Sequence, residues 1–168
     1  QGYLREAEQA YRRAYEVTAK QNTDTPNDPL LMRDLEVSLN KLGDVRFALN
    51  DLNGALMAYQ EGLGLSQSLL DMEPGNILYN QDVSISHERI GDVLVAMGDR
   101  AAARDAFDVS LDISKKLADT YPDDMEIRRN LSVSYERLGD TMQAEGDLDA
   151  ALAAFLEAQK IRDELLAL

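Results

Sequence analysis

The single histidine of this 168-residue chain, His87, has no cysteine to work with, because the sequence contains none. An imidazole serves as general base or metal ligand only with a second group beside it, a relay carboxylate or further ligands. Leu39 and Tyr135 stand at the same point of neighbouring segments, so His87 reads as a packing position with a polar edge. Thiolate nucleophiles, disulfides and the usual zinc sites are excluded by the missing cysteine. The glycines occur singly, and there is neither a phosphate-cradling loop nor a His-Glu-x-x-His pattern. Asp51-Leu52-Asn53-Gly54 starts like a calcium loop but lacks the remaining ligands, and Asn130-Leu131-Ser132 is a glycosylation triplet on a helical stretch. The acids Asp119, Asp123, Asp124 and Glu126 would attract a cation, yet a solvated loop with a capping aspartate explains them. The expectation is no catalytic residue, no metal site and no cofactor.

Charge narrows the partners. The chain has 17 basic and 31 acidic residues, net -14, which repels nucleic acid and anionic lipid. A neutral or basic protein or peptide fits better. Hydrophobic residues make up 45% of the chain, but no apolar run approaches the roughly 18 residues of a membrane span. No membrane partner is expected, and a cytoplasmic location is the default. Gln1 opens the sequence partway through a repeating pattern, so the expectation is a fragment of a longer protein.

That pattern is what must position any functional side chain. Pro26, Pro74 and Pro122 stand at one constant interval, and Gly43, Gly91 and Gly139 keep the same interval. The same step joins Ala7, Ala55, Ala103 and Ala151, then Tyr11, Tyr59, Phe107 and Phe155. A fixed period of this size, about 48 residues, marks a solenoid or array. Each unit reads as two helices. Asp28, Asn76 and Asp124 are suited to cap the first, with Pro29 tolerated just inside. Apolar or small residues then recur every three or four positions, as in Leu31, Leu35, Ser38, Leu42, Val45 and Leu49, or Tyr79, Val83, Ser86, Ile90, Val93 and Met97. Asn50, Gly98 and Gly146 suit the left-handed turn that ends this helix, and Asp51, Asp99 and Asp147 cap the second. Glycine inside a helix costs about 1 kcal/mol relative to alanine. Close approach of the second helix through Ala55, Ala103 and Ala151, with the aromatic rings filling the space beside it, is the expected return at Gly43, Gly91 and Gly139.

Leu42-Gly43 followed by Ala55, Tyr59 and Gly62 resembles the tetratricopeptide repeat, whose signature is Leu-Gly in the first helix and Ala, aromatic, Ala in the second. Ile90-Gly91, Ala103, Phe107 and Ser110 repeat it, as do Leu138-Gly139, Ala151, Phe155 and Ala158. The chain looks most like long-repeat bacterial versions and, more distantly, the kinesin-light-chain type. The resemblance implies an all-α, right-handed α-solenoid of stacked antiparallel hairpins, here of about seven helices. One repeat domain over residues 1–168 follows: a leading helix at 3–20, then repeats at 28–71, 76–119 and 124–168. The resemblance further implies a non-catalytic interaction scaffold that holds a peptide or partner helix on a concave surface lined by first helices.

Residues four apart share a helical face. Asn40, Asp44 and Phe47 therefore fall together, as do Glu88, Asp92 and Val95, and Glu136, Asp140 and Gln143. These nine are the candidate partner-binding residues. A family member that grips the C-terminal carboxylate of a chaperone tail uses Lys, Asn and Arg in such places. Acids at 88, 92, 136 and 140 oppose that ligand and favour a peptide carrying Lys or Arg. The competing reading is structural: Lys41, Arg89 and Arg137 recur in register with Asp44, Asp92 and Asp140, as an Arg-to-carboxylate ladder between repeats would require. The positions that differ between repeats, Asn40/Glu88/Glu136 and Phe47/Val95/Gln143, are the better selectivity candidates. Two alternatives stand beside the scaffold. One is self-association through terminal helices, since Leu152, Phe155, Leu156, Ile161, Leu165 and Leu166 have nothing after them; the other is a regulatory or sensor segment of a larger signalling protein.

Overall fold

The computed structural model describes residues 2–167; Gln1 and Leu168, the outermost residues of the expected repeat domain, lie outside the described residues. Seven helices and no strand occur among them: α1 (Gly2–Asp24), α2 (Pro29–Ala48), α3 (Leu52–Met72), α4 (Ile77–Met97), α5 (Arg100–Thr120), α6 (Met125–Glu145) and α7 (Leu148–Leu166). The chain divides into two compact units, one ending at Ser86 and one starting at His87, and α4 runs through the division.

Local chemistry explains where the helices start and stop. The Asp28 carboxylate accepts from the amides of Leu30 and Leu31, Asp124 from Glu126 and Ile127, and the Asn76 side-chain oxygen from Leu78 and Tyr79. Asp51, Asp99 and Asp147 each take one amide, from Gly54, Ala102 and Ala150. These contacts satisfy donors that a helix start leaves free. At the hairpin turns Asn50 has φ 62°, Gly98 85° and Gly146 86°, the left-handed conformation that stops a helix within one residue.

In the first unit α2 packs against both α1 and α3. Gly43 lies beside Tyr59 while Arg46 donates to the Gly54 carbonyl at 3.1 Å, so residue numbers rise on one helix as they fall on the other. The hairpin is antiparallel. Its core joins Leu35, Leu39 and Ala58 with the half-buried Tyr15, Ala19 and Leu65. In the second unit α6 packs against α5 and α7, and Ala103, Phe107, Leu111 and Leu138 gather Leu94, Leu131, Tyr135 and Met142 around them.

The buried faces are wider than the expected stripes. Leu35, Leu42 and Val45 are buried, Leu31, Ser38 and Leu49 are half-buried, and Met32, Glu36, Leu39 and Asn40 are buried as well. A first helix held between two neighbours needs two adjoining faces, which one stripe does not describe. Met97, expected in the stripe of α4, is 43% exposed at the helix end. On α7 the expected bare row also needs correcting: Ile161 is buried, Phe155 and Leu165 are half-buried, and Leu152, Leu156 and Leu166 are exposed.

The aromatic rings lie directly on the helical glycines, more closely than the expected packing beside an alanine contact. A Cβ at Gly91 would stand 2.5 Å from the Phe107 ring, and one at Gly139 2.7 Å from the Phe155 ring; Gly43 meets Tyr59 in the same way. Phe107 is 1% exposed, so its ring has nowhere to go. Gly91→Ala is expected to lower the unfolding free energy by up to about 2 kcal/mol, an overpacking cost of roughly 1–3 kcal/mol less roughly 1 kcal/mol of helix gain. Gly64, inside α3 with open space around it, supplies the contrast: Gly64→Ala should stabilise by about 0.5–1 kcal/mol in the same urea titration. Equal shifts for the two variants would remove the ring from this account.

Candidate functional site

The nine candidate residues lie on first helices, and the structure ties them down to very different degrees. In the first unit Asn40 is buried and donates its side-chain amide to Glu36, itself buried. Asp44 accepts from the Tyr59 hydroxyl at 2.8 Å, with Lys41 Nζ 3.9 Å from its carboxylate. Phe47 is 38% exposed. A cavity of about 300 Å³ in this unit is lined by other residues, among them Arg12, Tyr15, Leu39, Arg46 and Glu61, and it is crossed by a 2.9 Å hydrogen bond from the Tyr15 hydroxyl to Glu61. That contact raises the Tyr15 pKa, burial and the Glu61 charge adding to it.

In the second unit Glu88 turns into a serine cluster. Its Oε1 accepts from Ser134 at 2.7 Å and from Ser110 at 3.0 Å, and Ser114 lies 3.1 Å from Ser134. Asp92 pairs with Arg137 at 3.0 Å. Burial pushes the Asp92 carboxyl above the usual range; Arg137 pulls it back, and Glu88 and Asp140 push it up again. Glu136 is held by Arg162 of α7. Asp140, Val95 and Gln143 are exposed, and Asp140 has no hydrogen bond or ion pair among the described residues.

Two cavities form here. One, of about 130 Å³, brings together Asp92, Val95 and Asp140 with Arg100, Phe107 and Arg137. The other, of about 330 Å³, joins Val133, Glu136, Arg137, Asp140 and Phe155. Arg137 and Asp140 line both. Glu88 and Gln143 line neither.

The in-register charges pointed to the Arg137–Asp92 rung of a ladder between repeats, but spacing alone missed the other partners. Ser110 enters the sequence pattern only as a small signature position, and Ser114 and Ser134 not at all, although three hydroxyls in buried register call for an acceptor. The Tyr59 hydroxyl, absent from Phe107 and Phe155, was a visible difference between repeats with a consequence for the aspartate beneath it. Lys115 Nζ, 5.2 Å from the centre of the Tyr135 ring, adds a cation-π contact between α5 and α6.

No group of three or more His, Cys, Asp or Glu placed to hold a metal ion occurs among the described residues, and no helix is long and apolar enough to cross a membrane. Residues 132–164, which carry Leu138-Gly139, Ala151, Phe155 and Ala158, match the family model described as Tetratricopeptide repeat. That stretch is a tetratricopeptide repeat. Comparison with curated proteins finds no match. Among solved structures, the tetratricopeptide-bearing chain overlaps BtubC (BKLC) from P. vanneervenii at 14% identity, over 98% of this chain and 93% of that one, with a TM-score of 0.35. A putative kinesin light chain of Podosopora anserina with nearly identical TPR-like repeats overlaps at 12% identity, 99% and 94% coverage, TM-score 0.43. MamA overlaps at 15% identity, 94% and 92% coverage, TM-score 0.35. Overlaps this loose carry no function across; the repeat rests on the family match and the internal period.

His87 lies half-buried in α4, and burial lowers its pKa below 6.5. Just below pH 6.5 the unfolded chain therefore binds more protons at this site than the folded one, so its contribution to stability is complete above pH 6.5 and falls as pH drops towards the folded value. His87→Leu, the residue found at position 39, should flatten the pH dependence of urea unfolding between about pH 5 and 7. An unchanged slope would place the titration elsewhere.

Proposed function

We propose that this chain is a non-catalytic protein-interaction module whose first helices contact a partner segment through Asn40, Asp44 and Phe47 in the first unit and through Glu88, Asp92, Val95, Glu136, Asp140 and Gln143 in the second. Tetratricopeptide-type repeats generally mediate protein–protein interaction. The observation that carries the finer reading is a contrast among these residues. Asp44, Glu88, Asp92 and Glu136 have protein partners, whereas Phe47, Val95, Asp140 and Gln143 stay exposed. The tied acids hold helices in register, and the exposed apolar and amide positions vary from repeat to repeat, as recognition of a specific sequence requires. A net charge of -14 favours a segment carrying Lys or Arg.

A peptide array sampling basic, neutral and acidic sequences tests the reading. The triple variant Phe47→Ser, Val95→Ser, Gln143→Ala alters exposed positions alone and should weaken the best binders by about tenfold, the value of one or two lost apolar contacts. An array without binders, or binders indifferent to the variant, would sink the groove.

A second reading has its own observation. Leu148, Leu152 and Leu156, 64%, 58% and 55% exposed, form one row along α7, where α5 carries Arg100, Arg104 and Asp108. Such a row favours self-association through α7. Sedimentation velocity should then show a concentration-dependent species that Leu152→Ser with Leu156→Ser returns to monomer; a monomer at all concentrations removes this alternative.

A further inference from the structure

The same aspartate recurs three times, one period apart, and meets three different fates. Asp44 accepts the hydroxyl of Tyr59. At the next position the ring is Phe107, which has no hydroxyl, and Asp92 is taken by the guanidinium of Arg137 at 3.0 Å. At the third the ring is Phe155, again without a hydroxyl, and Asp140 has no hydrogen bond or ion pair among the described residues. Two of the three are satisfied from within the chain, Asp44 by the Tyr59 hydroxyl with Lys41 of its own helix alongside and Asp92 by Arg137 of another helix, and the third is open.

The cavity of about 330 Å³ beside Asp140 is also lined by Val133, Glu136, Arg137 and Phe155. Its other charges are already matched. Arg137 is paired with Asp92, and Glu136 with Arg162 of α7. Asp140 is the charge left over. Its neighbours are the half-buried Phe155 ring and the Val133 side chain, apolar surface on which the stem of a long cationic side chain can lie while its head reaches the carboxylate.

We propose that this cavity receives one arginine or lysine side chain from an extended segment of a partner protein, with Asp140 as the counter-ion and Phe155 as the stacking surface. The molecule supplies its own precedent, since Arg137 fills the equivalent place at Asp92. Net charge argues for a partner segment as the source. The inference rests on the groove reading above and gives it a chemical anchor.

The test is a protein-observed NMR titration at low salt with the peptide Ac-Ala-Ala-Arg-Ala-Ala-NH2 and its citrulline counterpart, which has the same shape without the charge. The arginine peptide should shift the amides of Gly139 and Asp140 and the ring signals of Phe155, binding about tenfold more tightly than the citrulline peptide, as one charge-assisted contact provides. Asp140→Asn should erase that preference and Asp140→Glu should keep most of it. Equal binding of the two peptides overturns the proposal, as does a preference that survives Asp140→Asn or shifts scattered over the acidic surface. A second copy of this chain as the occupant would show as line broadening that grows with protein concentration and is relieved by the arginine peptide, and that too overturns it. The triple variant at 47, 95 and 143 leaves Asp140 untouched, so loss of array binding there and loss of arginine preference here are separate failures.

Discussion

A ring seated on a glycine is the contact from which the rest of each hairpin follows. With no side chain at 43, 91 or 139, the second helix brings its aromatic residue against the backbone of the first, and the distance between the two axes is set by the thickness of that ring. Turn length and capping then have little freedom left. Asn50, Gly98 and Gly146 in the left-handed conformation reverse the chain at once, and the aspartate that follows starts the return helix. The loss of helix propensity at the glycine is offset by burial of a whole aromatic face.

The same contact governs the polar side of the first helices. The residue after each glycine is an aspartate, so the identity of the seated ring decides whether a hydroxyl stands within reach of it. One oxygen atom at position 59 thus separates the electrostatics of the first hairpin from those of the other two. In the second unit the serine cluster around Glu88 is a further layer of order. A carboxylate that accepts from Ser110 and Ser134 joins α4, α5 and α6 through directional contacts, where an apolar layer would tolerate sliding.

Much of this was legible in the sequence, and the reasons are physical. Caps and left-handed turn residues act over two or three positions, so Asp28, Asp51, Asp124 and Gly146 disclosed their roles without any fold in hand. The glycine and the ring are far apart along the chain, on different helices, yet repetition flagged both as constrained; the seating of one on the other needed coordinates. Partners of the candidate acids were the least legible part. Glu88 with Ser134 and Glu136 with Arg162 are contacts between helices, and a helical pattern gives the face of a residue without giving the neighbour it meets; Asp92 with Arg137 was legible because the two charges recur in register. The stripes were read too narrow for a related reason: a pattern shows one preferred face, and a helix held between two others uses two.

Sequence distance has a further consequence. Arg33 and Asp82, joined by a hydrogen bond at 3.3 Å, are 49 residues apart, and Glu88 and Ser134 are 46 apart, so these contacts span about one period. Closing loops of that size costs nearly the same entropy for each pair, whatever the length of the array. A gain or loss of one whole period in register would leave the separation within each remaining pair unchanged. Such a chain can lengthen or shorten by whole hairpins during evolution without redesigning its interior, so duplication is a natural source of new surface and the side chains facing outward are the ones free to diverge.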